Sequence, residues 1–294
     1  MIKRILEIGV AVNQAGPAAQ TLVNILDAKR GIVLTAKEYE MKAHMLRVAN
    51  VEFELMEPIG NNGLVHHFIQ QRGEGLHHIA FQVDDISSAI ECMKKKGVQV
   101  INEEPVSIEG TKATFLHPAS LEGVLVELIQ GEPQPIDGRS LPAGMQTAHP
   151  TRGLGVEGLL GIMILVRDSK KTAETYAALF DCDTPVRRNY HRSGLDAWNC
   201  RAGNVDLIFL DRYGKGTRSS LTKSKEGVGL YQIVLKVKNL ERAVECLKKN
   251  GVNFVRKPGS QLGSFDPLLT TIDVLSGTPM LLTEKIPADN EVWH

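Results

Sequence analysis

The 294-residue chain has no run near the roughly 18 consecutive apolar residues that a membrane span needs. It has no net charge either, since 34 basic side chains balance 34 acidic ones. A neutral chain offers no basic footprint for nucleic acid, so nucleic-acid and membrane partners are not expected. Cysteine is scarce: Cys92, Cys182, Cys200 and Cys246 lie far apart without a CxxC pair. Neither a zinc knuckle nor a disulfide framework is indicated, and reduced thiols are expected. A signal peptide is not expected either. The run after Met1-Ile2-Lys3-Arg4 is broken by Glu7 and leads to Asn13-Gln14 without a small-residue cleavage pattern, which points to a cytoplasmic protein. With 43% apolar residues, the length suits one large domain or two ordinary ones.

An internal repeat decides between them. Residues 89–98 read AIECMKKKGV and residues 243–252 read AVECLKKNGV, seven of ten identical at an offset of 154. The flanks keep that offset: GEGLHHIAFQVDDI from Gly73 matches GVGLYQIVLKVKNL from Gly227, and ILEIGVAV from Ile5 matches LLGIMILV from Leu159. The reading is a first domain over 1–130, a Pro- and Gly-rich linker over 131–158, and a second domain over 159–294.

Each copy halves again. In the first, Ile5 to Val12 alternates as a strand, and Pro17 opens a helix to about Lys29 with Leu22, Val23, Ile25 and Leu26 on one face. Strands are expected near Gly31–Leu34, Met41–Ala49, Val51–Met56 and His78–Val83. A helix capped by Asp84 or Asp85 should follow, carry Ile86, Ala89, Ile90 and Met93 inward, and stop at Gly97; strands near Val98, Thr114 and Val124 complete the copy. The fold class is α+β, a βαβββ module used four times on curved mixed sheets.

Period-two alternation then sorts the polar residues stranded among apolar ones. Glu7 shares a face with Gly9 and Ala11, and His78 with Ala80 and Gln82, while Ile8, Val10, Ile79 and Phe81 point to the core. Glu54 in VEFELMEP and Glu127 in GVLVELIQ are likewise flanked by apolar strand residues. Ionisable groups in such places need a partner, and a divalent cation such as Co²⁺, Mn²⁺, Zn²⁺, Fe²⁺ or Ni²⁺ satisfies several at once. The second copy supplies a control: Glu7, Glu54, His78 and Glu127 become Gly161, Ile208, Gln232 and Leu281. Their joint loss marks them as a set.

GEGLHHIAFQVDDI, the LMEP after Glu54, and FLHPASLEGVLVELIQ resemble the methylmalonyl-CoA epimerases of the vicinal oxygen chelate superfamily, which also holds glyoxalase I, bleomycin-resistance proteins and extradiol dioxygenases. The resemblance covers most of residues 5 to 130. It implies a cupped sheet around a metal bound by Glu7, Glu54, His78 and Glu127, although the epimerases usually carry histidine at the position of Glu7. It also implies a small-molecule substrate, in the epimerases an acyl-CoA, from which a proton α to a carbonyl is removed through a metal-chelated enolate. Glu127, and Glu38 or Glu40, which with His44 lie on or near a strand facing the proposed cup, are the candidate proton-transfer groups.

Three alternatives share the fold: a lactoylglutathione-lyase-like isomerisation, an iron-dependent oxygenation, and non-catalytic binding of the bleomycin-resistance type. Two-domain extradiol dioxygenases resemble this family with their iron ligands in the second domain, against the pattern here. His77 falls on the opposite face from His78 by strand parity and reads as packing. His66 and His67 lie in the connection before it, and HPAS from His117 reads as a turn. The lysines at 94–96 and 248–249 suit helix C-termini, and Ser219–Gly227 reads as an exposed loop. The second copy's apolar face is expected to help enclose the first site, and the chain leaves room for a homodimer.

Overall fold

Alternating apolar residues bury one face of a strand, and in this chain they build two eight-stranded mixed sheets of the same strand order. A computed structural model describes residues 2–108, 110–132, 153–190, 195–211, 227–256, 268–270, 273–275 and 277–284. The first sheet holds β1 (Ile2–Ala11), β2 (Lys29–Ala36), β3 (Met41–Val48), β4 (Val51–Pro58), β5 (Gly75–Val83), β6 (Val106–Ile108), β7 (Thr111–Leu116) and β8 (Leu125–Gln130), in the order β2-β3-β4-β1-β5-β8-β7-β6. Helices α1 (Ala15–Leu26), α2 (Leu64–Arg72) and α3 (Ile86–Lys95) connect them. The second sheet repeats the plan with β9 (Val156–Val166), β10 (Val186–Tyr190), β11 (Leu195–Ala202), β12 (Val205–Asp211), β13 (Gly229–Val237), β14 (Val255–Arg256), β15 (Leu268–Thr270) and β16 (Met280–Thr283), with helices α4 (Ser169–Phe180) and α5 (Leu240–Lys249). Its order is β10-β11-β12-β9-β13-β16-β15-β14. Each sheet is two βαβββ modules whose first strands, β1 and β5 or β9 and β13, lie antiparallel at the centre.

Local chemistry explains the helix boundaries. Asp85, Asp168 and Asn239 cap α3, α4 and α5 by accepting from the backbone N–H three residues on. Helix α1 starts at Ala15, before the expected Pro17, because Glu57 on β4 accepts the Ala15 N–H at 2.7 Å and replaces a side-chain cap. It ends at Leu26, short of Lys29, where Asp27 turns left-handed at φ 55°. No strand forms at Val98; Val100 makes a single bridge to Leu116, and β6 lies further on. The connection before β5 contains a helix, α2, that the sequence does not signal: of its apolar residues Leu64 is exposed, and Val65, Phe68 and Ile69 alone pack inward. His117 caps a short 3₁₀ turn, Pro118–Ser120, where the sequence suggested a turn. Most of the expected linker, residues 133–152, and residues 219–226 of the expected Ser219 loop lie outside the described residues; β9 begins at Val156, before the expected boundary.

The halves share one core. Side chains from α1, α3, α4 and α5 and from the helix-bearing faces of both sheets form a single apolar cluster. Within it Tyr176 Oη on α4 donates to the Leu121 carbonyl at 2.9 Å, and Phe81 meets Phe180 with ring centroids 6.0 Å apart. Among the described residues, the second copy's apolar cup does not enclose the first site as expected. That cup forms its own cluster of second-half residues, because the helix-bearing faces are the surfaces that pair.

Two reciprocal hydrogen bonds tie the halves at equivalent points. Asn50 Oδ1 accepts the Leu159 N–H at 2.8 Å, and Asn204 Oδ1, 154 residues on, accepts the Ile5 N–H at 2.9 Å. Asn50→Ala together with Asn204→Ala strands two buried N–H groups, a cost of about 1–3 kcal/mol each. Urea denaturation should show the midpoint falling accordingly, with the loss about twice that of either single variant; an unchanged midpoint would refute the clasp.

Candidate metal centre

The four central strands β4, β1, β5 and β8 carry one residue each to a common point: Glu54, Glu7, His78 and Glu127. His78 Nε2 is 3.3 Å from Glu7 Oε1, 3.5 Å from Glu54 Oε2 and 3.5 Å from Glu127 Oε2. Ligand atoms of Glu7, Glu54 and His78 all fall within 4.8 Å of one another, and Glu127 reaches His78 from the far side. Atoms bound about 2.1 Å from one ion are roughly 3.0 to 3.4 Å apart at the corners of an octahedron or tetrahedron. The spacing around His78 Nε2 therefore suits a shared cation.

The electrostatics ask for the same thing. His78 is 2% exposed and the side chains of Glu7, Glu54 and Glu127 only 11%, 15% and 10%. Burial, with Glu52 nearby, pushes the Glu7 carboxyl up to about 8. Burial and the Glu7 charge push Glu54 up to about 8, and a hydrogen bond joins the two carboxyls. Glu127 is raised by burial and by both of the others. Burial lowers His78, which leaves a neutral imidazole, the form that donates a lone pair. Among the described residues, no lysine or arginine pairs with any of the three carboxylates.

Two features that strand parity hides orient the imidazole. A β-bulge pairs Gly9 with His78 but Val10 with Leu76, so His77 is an extra residue on β5. His77 thus lies beside His78, their Nδ1 atoms 3.1 Å apart, instead of on the opposite face as parity implied. Burial, with the neighbouring His78 ring and Arg72 acting the same way, holds His77 down to about 3, so it is a neutral acceptor. The second feature is Gly9. A Cβ there would lie 2.1 Å from His78 Cε1 and 2.2 Å from Nδ1, so the ring occupies the space a side chain would take. The repeat held the signal: Gly9 becomes Met163 in the copy where His78 becomes Gln232.

The remaining candidates lie elsewhere. Glu38 is exposed in the 3₁₀ turn Lys37–Tyr39, and Glu40 caps it, its Oε2 accepting the Asn62 N–H at 3.0 Å. Glu40 precedes the Met41↔Pro58 pair, four strand positions beyond Glu54, or about 13 Å along β4. His44, read as facing the cup, turns to the helix-bearing side beside Glu57 and Lys42, as its neighbours Leu46 and Val48 do. The cup side of β3 instead offers Ala43, which packs with Ala11 and Met56 under Val65 of α2. His67 is exposed on α2, with His66 half-buried against it.

The repeat also separates frame from site. Arg47 pairs with Glu52 at the cup margin, and Arg201 pairs with Asp206 at the equivalent margin of the second cup, at 2.8 Å. That ion pair is kept in both halves, while all four cluster residues are kept in one.

Comparison with known proteins agrees with this division. The family model of the Glyoxalase/Bleomycin resistance protein/Dioxygenase superfamily matches residues 7–115. The first half is similar to human mitochondrial methylmalonyl-CoA epimerase, 33% identical over 129 residues, which cover 43% of this chain and 73% of that protein. It is similar as well to the ethylmalonyl-CoA/methylmalonyl-CoA epimerase of Cereibacter sphaeroides, 30% identical over 133 residues, 44% of this chain and 99% of that one. Over its whole length the fold is like that of a variant of 4-hydroxymandelate synthase from Streptomyces coelicolor, with a TM-score of 0.71 at 15% identity, covering 98% of this chain and 94% of that one. The paired βαβββ sheets and the epimerase-like first half together place the chain in the glyoxalase/bleomycin resistance protein/dioxygenase superfamily.

Proposed function

We propose that the first half is a divalent-metal-dependent epimerase or isomerase that moves a proton α to a thioester carbonyl, with a malonyl-type acyl-CoA as substrate. The observation that carries this reading is the convergence of three buried carboxylates on one neutral imidazole nitrogen. Glu7, Glu54 and His78 would hold the cation, which would supply Lewis-acid stabilisation of negative charge on the carbonyl oxygen. Nδ1–H of His78 donates to His77 Nδ1, which keeps the Nε2 lone pair aimed into the cluster. Glu127, outside the tightest group, is free to take the α-proton at a carboxylate oxygen. Return of the proton to the other face needs a second group. Glu38 or Glu40, in and just after the 3₁₀ turn that precedes β3, is the candidate for that role. The donor set favours proton transfer over oxygenation, because non-haem iron oxygenases use two histidines and one carboxylate.

Purified protein should contain about one divalent ion per chain, and His78→Ala with Glu127→Ala should remove it. In deuterated water, metal-loaded protein should exchange the α-proton of methylmalonyl-CoA, and Glu127→Gln should slow exchange about 10²- to 10⁴-fold while the ion stays bound. Full exchange in Glu127→Gln would remove Glu127 from the reaction; unchanged metal content in the double variant would sink the site.

A further inference from the structure

The second cup has lost its ionisable cluster, yet it contains two buried amides with unmet hydrogen-bonding atoms. Asn199 on β11 is 7% exposed and Gln232 on β13 is 2% exposed, and Asn199 Oδ1 and Gln232 Nε2 have no partner. Both face into the cup. Their strand neighbours Cys200 and Ile233 turn to the shared core, while Ala197 and Val234, two positions along, belong to the cup cluster with Met163, Leu165 and Ile208. Gln232 stands where the first half has His78, and Asn199 where it has Met45.

An unpaired amide atom in an apolar interior is destabilising, and apolar side chains of similar size would fill the same space without that cost. Met45 shows that the fold accepts such a side chain at one of the two positions. The pair is therefore explained by something it binds. Strands β12 and β9 lie between β11 and β13, so the two amides are three strand spacings apart, about 14 Å along the sheet before curvature shortens it. The four positions that are ionisable in the first cup are Gly161, Ile208, Gln232 and Leu281 here, none of them charged. We propose that the second cup binds a neutral small molecule with an apolar body, a carbonyl-type acceptor for Gln232 Nε2 and a hydroxyl or N–H donor for Asn199 Oδ1.

The test uses the full, metal-loaded chain with 4-hydroxybenzamide as probe, whose carbonyl and phenol hydroxyl stand at opposite ends of the ring, followed by ligand-observed NMR. Asn199→Leu and Gln232→Met should each weaken 4-hydroxybenzamide about tenfold, the equivalent of one lost hydrogen bond, and should leave toluene binding unchanged. Both variants should melt at or above the wild-type temperature, because each removes an unpaired polar group. His78→Ala, in the first cup, should bind 4-hydroxybenzamide as wild type does. No binding by the wild type, or equal affinity in wild type and both variants, would overturn the proposal, as would a lowered melting temperature in Asn199→Leu or loss of binding in His78→Ala.

Discussion

Gly9→Ala should cost the protein its divalent ion while leaving the fold in place. The added Cβ would sit 2.1 Å from the edge of the His78 imidazole, well inside van der Waals contact. The ring has little room to give way. His77 Nδ1 holds it at 3.1 Å, and Phe115 meets it edge-on with centroids 5.7 Å apart. Relief has to come from swinging Nε2 out of its place among Glu7, Glu54 and Glu127. Losing even an outer partner of a metal ligand typically costs 10- to 100-fold in affinity, so displacement of the ligand itself should cost on the order of 100-fold or more. Overpacking adds roughly 1–3 kcal/mol of destabilisation. Isothermal titration with Co²⁺ reads the affinity, and a melt with and without chelator gives an independent check: the wild-type melting temperature should fall on chelation and that of Gly9→Ala should not move. Wild-type affinity in the variant would show that His78 is not the anchor.

Chelator-treated protein should become less stable as pH rises from about 5 to about 8, the reverse of the usual behaviour of carboxylates. Burial pushes Glu7 and Glu54 up to about 8 in the folded, metal-free site, against 4.5 for an ordinary carboxyl in the unfolded chain. Across that window the folded chain holds protons that the unfolded chain has released, so raising the pH favours unfolding. The slope is about 1.4 kcal/mol per pH unit for each independent proton; this coupled pair should give on the order of 1–2 kcal/mol per unit. Above about 8 both states have lost the protons and the slope disappears. With a dication present the sign reverses, because the ion competes with those protons and its apparent affinity climbs with pH until they are gone. Urea denaturation at pH 6, 7 and 8, with chelator and with metal, should show the two trends diverging, and Glu54→Gln should flatten the chelated one. A chelated wild type that is more stable at pH 8 than at pH 6 would mean that the cluster is not a proton store.

Much of this protein was legible in its sequence because duplication wrote each instruction twice. The 154-residue offset exposed the modules, and period-two alternation sent Glu7, Glu54, His78 and Glu127 to one face, where the structure gathers them. What stayed hidden depends on departures from alternation. The bulge at His77 has no composition of its own, so parity sent that ring to the wrong side, and Gly9 is seen as the seat of the imidazole only from its close approach to that ring. On β3, His44 turns away from the cup because the β3–β4 register, set by pairs such as Met45↔Glu54, fixes which residues look inward; Glu38 and Glu40 lie before that strand, in the 3₁₀ turn and at its cap. Helix α2 was missed because only three of its residues are committed to packing, and they follow a nine-residue pattern too short to stand out.

The Asn50 and Asn204 clasp has a consequence for how far the halves can drift apart. Each asparagine grips a peptide N–H, a group that every residue but proline presents in the same way. The joint is therefore blind to the side chains of the strand it holds. Ile5 to Val12 and Leu159 to Val166 have been free to change at position after position, Glu7 against Gly161 among them, with the handshake between the copies undisturbed. One copy could abandon its ionisable cluster because the fastening asked nothing of the residues that were given up.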